Sequence, residues 1–369
     1  MKKLAIIGAG YLQKPLVLKA REMQIETHCF AWEDGAVCKD IADYFYPISI
    51  VEKEKILKKC LEIGIDGITS IASDAAVPTI CYIADEMHLT GNPYHNVSVT
   101  TNKYKMRRCL VEKGIPSPQF AMAKAKPSLS GFRFPLIVKP TDRSGSRGVT
   151  KIFAAEELGP AMKRAKEESF NNEAIIEEFI SGREISVESI SWQGQHYIIA
   201  ITDKITTGEP YFVELQHHQP ADLNAKMRDN VKTQTIKALD VLGVVVGAGH
   251  SEFKITEEGE IYAIEIGARM GGDFIGSDLV RLSTGYDFLK AVIEVAMGGF
   301  TVPEFKTNKF SGVYFLSKET ESVKKYIDNP DGNLDIVRSE ITDAELHELR
   351  SSSDRSGYFI YQSDKKMII

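Results

Sequence analysis

His250-Ser-Glu-Phe-Lys-Ile-Thr-Glu-Glu-Gly-Glu-Ile-Tyr-Ala-Ile-Glu-Ile-Gly267 is the stretch on which the fold turns. Two apolar-rich segments, Phe253 to Thr256 and Ile261 to Ile266, flank the turn signal Glu258-Gly259, a pattern that predicts a β-hairpin. With that pair as the loop, Glu252 stands opposite Glu265, at the roughly 4.5–5.5 Å Cβ spacing of cross-strand partners. Period-two alternation puts Glu252 and Lys254 on one face and Phe253 and Ile255 on the other. Like charges side by side destabilise a hairpin, and the pair makes sense with a cation between the two. Hard carboxylate oxygens suit magnesium, which commonly takes one or two carboxylates plus substrate phosphates. A solvated polar face with Lys254 nearby is the other use of these residues.

Working outward, 369 residues are enough for two or three domains. Hydrophobic content of 43% and charged content of 26% fit a soluble globular enzyme. A net charge of −6 offers no basic field for nucleic acid. No apolar stretch is long enough to span a bilayer, so no membrane partner is expected. The opening Met1 to Gly8 looks superficially like a signal peptide, but Gly8, Gly10 and Gln13 break the apolar run, and a buried first strand fits better. Cys29, Cys38, Cys60, Cys81 and Cys109 form no C-x-x-C pair, which fits reduced thiols in a cytoplasm rather than a disulfide framework or zinc site.

Strand and helix signals alternate over the first ~95 residues: Leu4 to Ile7, Leu12 to Met23, Glu26 to Phe30, Lys53 to Ile63 and Gly67 to Ile71. Such alternation predicts a parallel sheet flanked by helices. Gly8-Ala-Gly10-Tyr-Leu-Gln13 carries part of a dinucleotide fingerprint, with Gln13 in place of the third glycine and Glu33 and Asp34 near the ribose-acid position. It leaves open an NAD(P)-dependent oxidoreductase, a tight turn with no cofactor, or a turn holding the anionic end of a substrate. Further on, helices are expected at Lys103 to Lys113, 226–242 and Tyr286 to Met297, with strands at Ser311 to Leu316 and Tyr358 to Gln362 in the tail. The expected units are residues 1–95, 96–300 and 301–369.

Phe134-Pro-Leu-Ile-Val-Lys-Pro140 is an apolar strand carrying Lys139, and Thr141-Asp-Arg-Ser-Gly-Ser-Arg-Gly-Val149 follows. Backbone amides and arginines in such a loop can face phosphates, and the lysine adds a fixed charge. The spacing is not that of a P-loop. In Ala174 to Glu188 two apolar strands joined by an acidic segment could grip a purine, with backbone at the base edge and one carboxylate on the ribose. A mobile surface loop and an edge strand with solvated glutamates are the plainer alternatives.

Taken in order, Asn102-Lys103, Val138-Lys139-Pro140, the Ser/Gly loop, Glu177 to Glu184 and Glu252…Glu265 resemble the ATP-grasp superfamily over roughly residues 1–300. Gly249-His-Ser-Glu-Phe253 and Glu265-Ile-Gly-Ala-Arg-Met-Gly-Gly-Asp273 resemble its carboxylate–amine ligases, among them the L-amino-acid (dipeptide) ligases. Val213 to Ala221 is similar to their substrate-side segment. The resemblance implies an α/β protein, α+β in its catalytic part: an ATP-grasp fold behind a Rossmann-like pre-ATP-grasp domain. It implies that 1–95 is that N-terminal domain, that 96–300 is the catalytic domain, with a nucleotide-binding lid at about 120–190, and that 301–369 is a mixed segment. It implies ATP and Mg2+, with Mn2+ as an alternative ion, and an amide bond made from a small carboxylic or amino acid and an amine through an acyl-phosphate.

By the same resemblance Lys103 and Lys139 contact the phosphates, and Ser144, Gly145, Ser146 and Gly148 form the closing loop. Glu177 accepts from the adenine amine, with the Glu178 and Ile180 backbones on the ring edge and Glu184 on the ribose. Glu252 and Glu265 hold the metal. Arg269, with Lys139, stabilises the transferring phosphoryl group. Gly267 stands where many members carry an asparagine ligand, which leaves the number of metal ions open. His217, His218 and His250 are candidates to take the amine proton, and Ser73, Asp74 and Asp273 to face substrate. A non-catalytic nucleotide-binding regulator is a further alternative, and a homodimer is the default assembly.

Overall fold

The apolar run ahead of Gly8 forms β1 (Lys3–Ile7), followed by α1 (Lys14–Glu22), β2 (Glu26–Phe30), β3 (Tyr44–Tyr46), α2 (Lys53–Ile63), β4 (Gly67–Thr69) and α3 (Val77–Glu86). The four strands are parallel, in the order β3-β2-β1-β4. This computed structural model describes residues 1–124, 127–329 and 335–369. Gln13 closes the glycine turn: its Oε1 accepts from the Gly10 amide at 3.1 Å and its Nε2 donates to the Ile71 carbonyl at 2.8 Å. Gly8 has φ +107°, and a Cβ there would meet Gln13 at 3.1 Å. The third-glycine position, which in a dinucleotide fingerprint allows close helix–strand packing, thus carries a buried side chain that fills the turn, which favours the cofactor-free turn.

After α4 (Val97–Thr101) and α5 (Lys103–Glu112), a small antiparallel sheet forms from β5 (Phe120–Met122), β6 (Leu136–Pro140), β7 (Thr150–Ile152) and β8 (Ala174–Glu178), in the order β5-β8-β6-β7. The apolar side of α6 (Leu158–Glu168), with Ala161, Met162 and Ala165, packs on Leu136, Val138 and Ile176 of that sheet.

The rest is one eight-stranded antiparallel sheet. It is built from β9 (Arg183–Trp192), β10 (Gln195–Thr206), β11 (Glu214–Gln219), β12 (Gly247–Ile255), β13 (Ile261–Gly267), β14 (Phe310–Leu316), β15 (Ile336–Ile341) and β16 (Gly357–Ser363). The order is β13-β12-β9-β10-β11-β14-β16-β15, so the C-terminal strands continue the sheet that carries the hairpin. Helix α7 (Ala225–Val241) buries Val231, Ala238 and Leu239 with Ile185, Val187, Phe253 and Ile255 on its apolar face. Helices α8 (Val280–Thr284), α9 (Phe288–Ala296) and α10 (Lys324–Asp328) complete the layers.

The hairpin pairs Glu252 with Glu265, by a different route from the one the turn signal predicts. The loop runs from Thr256 to Glu260, closed by Thr256 N–H on the Glu260 carbonyl at 3.0 Å. Near it the register is Ile255 with Ile261, Lys254 with Tyr262 and Phe253 with Ala263, one residue off a two-residue turn. A bulge then leaves Ile264 as the extra residue and brings Glu265 opposite Glu252. Bulges recur beside active sites because they re-aim side chains in this way.

Candidate active site

Alternation lays the polar face of the large sheet out in cross-strand rows. One row holds Thr202, Ser186, Glu252 and Glu265; the next holds His217, Lys204, Glu184 and Lys254. Above this face opens a cleft of about 190 Å³, also walled by the small sheet and the loop after β6. Lys103, Lys139, Ser144, Gly145, Ser146, Glu177, Glu178, Ile180, Glu184, Glu252, Glu265 and Arg269 all line it. Residues spread over more than 160 positions of sequence therefore meet in one place.

Each of the two facing carboxylates commits one oxygen. Glu265 Oε1 accepts from Lys103 Nζ at 2.8 Å, and Glu252 Oε1 accepts from Lys204 Nζ at 2.5 Å with His250 Nε2 at 3.2 Å. Among the described residues no donor reaches Oε2 of either. Burial alone would push the Glu252 carboxyl up, but Lys204 and His250 outweigh it and hold it well below the usual carboxylate range. Two facing carboxylates with one free oxygen each fit a magnesium ion that would take its remaining ligands from phosphates and water. No cluster of three or more His, Cys, Asp or Glu is arranged as a metal cage among the described residues, so the phosphates would have to complete such a site.

Two of the expected nucleotide-side residues, Glu177 and Gly148, are tied into the protein itself. Glu177 is 2% exposed, with Oε2 on Lys139 Nζ at 2.7 Å and Oε1 2.8 Å from Arg107 Nε. The Arg107 contact is not aligned as a hydrogen bond and is held by charge. Held between Lys139 and Arg107, the Glu177 carboxylate is placed as an anchor for Lys139. Gly148 lies behind the cleft, at φ +68°, where a Cβ would meet Pro140 and Glu168 at 3.0 Å. It is a turn residue at the base of the loop. Glu178 spends its N–H on the Gln119 carbonyl at 2.9 Å, while Ile180 borders the cleft just beyond β8.

The substrate-side candidates separate clearly. Asp74 binds Arg269 through two bonds, Nε to Oδ1 at 3.0 Å and Nη2 to Oδ2 at 2.8 Å, so it is a guanidinium anchor delivered by the N-terminal domain. Ser73, its neighbour, does not line the cleft. Asp273 pairs with Arg355 Nη1 at 2.8 Å, and Arg355 Nη2 also reaches Glu214 Oε2 at 3.2 Å. His218 turns to Tyr361 Oη at 2.9 Å and Gln216 at 2.8 Å, away from the row that holds Lys204, and burial pushes its pKa down to about 4. His217 is buried and, among the described residues, neither ring nitrogen has a hydrogen-bond partner; burial keeps it neutral.

His250 is not a base at neutral pH. Burial favours its neutral form, but Glu188, hydrogen-bonded to Nδ1, dominates and raises the pKa to about 9. Glu188 also accepts from the Gly271 amide at 3.0 Å and so ties β9 to the loop after β13. A pKa raised from 6.5 to about 9 contributes stability that is complete below pH 6.5 and is lost as pH rises through 9. We expect the Tm of the metal-free protein to fall across that window, by the equivalent of about 3 kcal/mol. His250→Asn should flatten this part of the pH profile.

Lys204, Glu214, Arg107, Glu188 and Arg355 were not singled out as site residues in the sequence. Glu214 lies inside the Val213 to Ala221 segment already marked as substrate-side, and Lys204 lies on β10, the strand paired with it. Arg355 comes from the far end of the chain and carries no local signal.

With this geometry in hand, comparison with known proteins is informative. Residues 132–278 match the family described as ATP-grasp domain. Dapdiamide A synthase of Enterobacter agglomerans is 29% identical over 218 residues, 54% of this chain and 50% of that protein. Alanine–anticapsin ligase of Bacillus subtilis (strain 168) is 26% identical over 303 residues, 71% of this chain and 64% of that protein. The chain thus spans less than two thirds of either relative. Among solved structures, L-amino acid ligase from Bacillus licheniformis superposes with a TM-score of 0.81 at 22% identity, covering 99% of this chain and 94% of that one. That likeness is one of fold, and the chain carries the ATP-grasp fold behind an N-terminal parallel α/β domain. No helix among the described residues is long and apolar enough to cross a membrane.

Proposed function

We propose that this ATP-grasp chain is an ATP- and Mg2+-dependent, ADP-forming ligase that joins a small carboxylic acid to an amine through an acyl-phosphate. The observation that carries the reading is the facing pair Glu252 and Glu265, each with one uncommitted oxygen, in a cleft shared with Lys103, Lys139, Arg269 and the Ser144–Ser146 loop. One relative is named as a ligase of alanine and anticapsin, and a structural neighbour is named an L-amino acid ligase. Both names favour an amino acid as carboxylate donor and a small-molecule amine as acceptor. The enzyme would work in the cytoplasm, with Mn2+ able to replace Mg2+.

Phosphoryl transfer asks the protein for position and charge neutralisation. When bound, magnesium supplies charge to the phosphate oxygens and helps orient them. Lys103 and Lys139 reach the same space from α5 and β6. Arg269, fixed by Asp74, presents a guanidinium whose geometry is set before the phosphoryl group moves. The loop of residues 144–146 closes to keep water from the acyl-phosphate. His217, neutral and with neither ring nitrogen hydrogen-bonded among the described residues, is buried beside Lys204 rather than on the cleft wall, and would need an opening of that wall to take the amine proton.

A phosphate-release screen over pairs of amino acids and small amines, with Mg2+ and ATP, tests the reading. Release should need both members of a pair. ATP binding with Mg2+ but no release for any pair would favour a regulator instead.

A further inference from the structure

We infer that Lys204 is a resident counter-cation of the metal-side carboxylates, which keeps Glu252 from holding a divalent ion until the phosphates of a nucleotide arrive with it. The inference rests on the ATP-dependent reading above. Lys204 is 8% exposed, and its ammonium lies 2.5 Å from Glu252 Oε1, 3.2 Å from Glu184 Oε1 and 3.6 Å from Glu214 Oε1. It serves three carboxylates that belong to three different jobs: the metal side, the expected ribose side and the wall shared with Arg355.

The register explains the reach. Lys204 stands directly opposite Glu184, while Ser186 stands opposite Glu252. Serine is small, so the lysine stem can cross diagonally over it to the glutamate. The line continues on both sides: Lys254 sits 3.1 Å from Glu184 Oε2, and Arg355 sits 3.2 Å from Glu214 Oε2. Charges of opposite sign therefore alternate along Lys254, Glu184, Lys204, Glu214, Arg355 and Asp273.

Such a line leaves little net negative field for a lone cation. Without Lys204, three carboxylates would face one another in a desolvated cleft, an arrangement that attracts any divalent ion. With Lys204 in place the ion lacks a surplus of charge until triphosphate oxygens supply it. Lys204 is in this sense a positioning residue acting through Glu252.

Mn2+ binding followed by electron paramagnetic resonance, with and without ADP, separates the outcomes. Wild type should bind Mn2+ weakly alone and more tightly with ADP. Lys204→Met should tighten nucleotide-free Mn2+ binding about tenfold or more while lowering turnover. Lys204→Arg, which keeps the charge, should stay near wild type without nucleotide. Should Lys204→Met not fold, the double variant Lys204→Met/Glu184→Gln removes one of the strained carboxylates and should show the same tightening. Nucleotide-free Mn2+ binding that is unchanged or weaker in the Met variant overturns the inference. Wild type that gains no Mn2+ affinity from ADP would instead overturn the ATP-dependent reading itself.

Discussion

Replacing Glu265 with Gln should lower ATP-dependent phosphate release by about a thousandfold or more and leave the melting temperature within a few degrees of wild type. A thousandfold corresponds to about 4 kcal/mol of barrier, a reasonable loss when a carboxylate ligand of the phosphate-bridging ion becomes neutral. The fold should survive for reasons local to Glu265. Its side chain is about 20% exposed, its ion pair with Lys103 uses one oxygen, and a glutamine carbonyl can still accept from that ammonium. Lys103 also donates to the Arg143 carbonyl at 2.7 Å, so neutralising Glu265 does not leave that ammonium without acceptors. The contrast matters more than either number: a large kinetic loss with a small thermal shift is the signature of a ligand on a supported hairpin. Activity within tenfold of wild type would remove Glu265 from the metal side and with it the proposed chemistry.

How much of this was readable in the chain depends on how locally each feature is encoded. Strand β2 and helix α2 have the bounds that their apolar periodicity predicts. The Glu252–Glu265 pairing was predicted as well, but the turn signal hid a five-residue loop and a compensating bulge. A one-residue slip and a one-residue bulge cancel, and nothing in the local pattern distinguishes that from a simple two-residue turn. Glu177 shows the opposite limit. The resemblance implied an adenine contact for it, and no local pattern pointed to its ion pair with Arg107, seventy residues earlier on α5. Pairing between buried charges is set by tertiary approach, and a helix of mixed polarity such as α5 gives no hint of which arginine turns inward. Arg355 is beyond local reasoning for the same reason: β16 must first join the large sheet before the segment ahead of it can meet Asp273 and Glu214.

Arg107→Met should destabilise the protein by about 3–5 kcal/mol, the usual loss when one partner of a buried ion pair is removed. A fall in Tm on the order of 10 °C is the expected reading. Arg107 is fully buried and joins three elements, α5, β8 and β13. From α5 its Nε faces Glu177 of β8, and its Nη2 donates to the Ile264 carbonyl of β13 at 2.5 Å. Ile264 is the extra residue of the bulge, where the strand ladder is locally disrupted. The guanidinium therefore supports the very irregularity that sets Glu265 opposite Glu252. Without it Glu177 keeps a single cation, Lys139, which would be drawn more firmly into that pair and away from nucleotide phosphates. ATP affinity should then fall together with stability, although Arg107 does not line the cleft. A second variant separates charge from bulge support. Arg107→Met/Glu177→Gln removes the orphaned carboxylate and should recover roughly half of the lost stability, because coupled buried charges are not additive. It should not recover activity, because the Ile264 carbonyl still lacks its donor and the carboxylate pair loses its register. Thermal melts and phosphate-release rates on the single and double variants decide between these terms. A double variant as unstable as the single one would mean that Glu177 was never the source of the loss, and full activity in either would mean that the bulge holds its shape unaided.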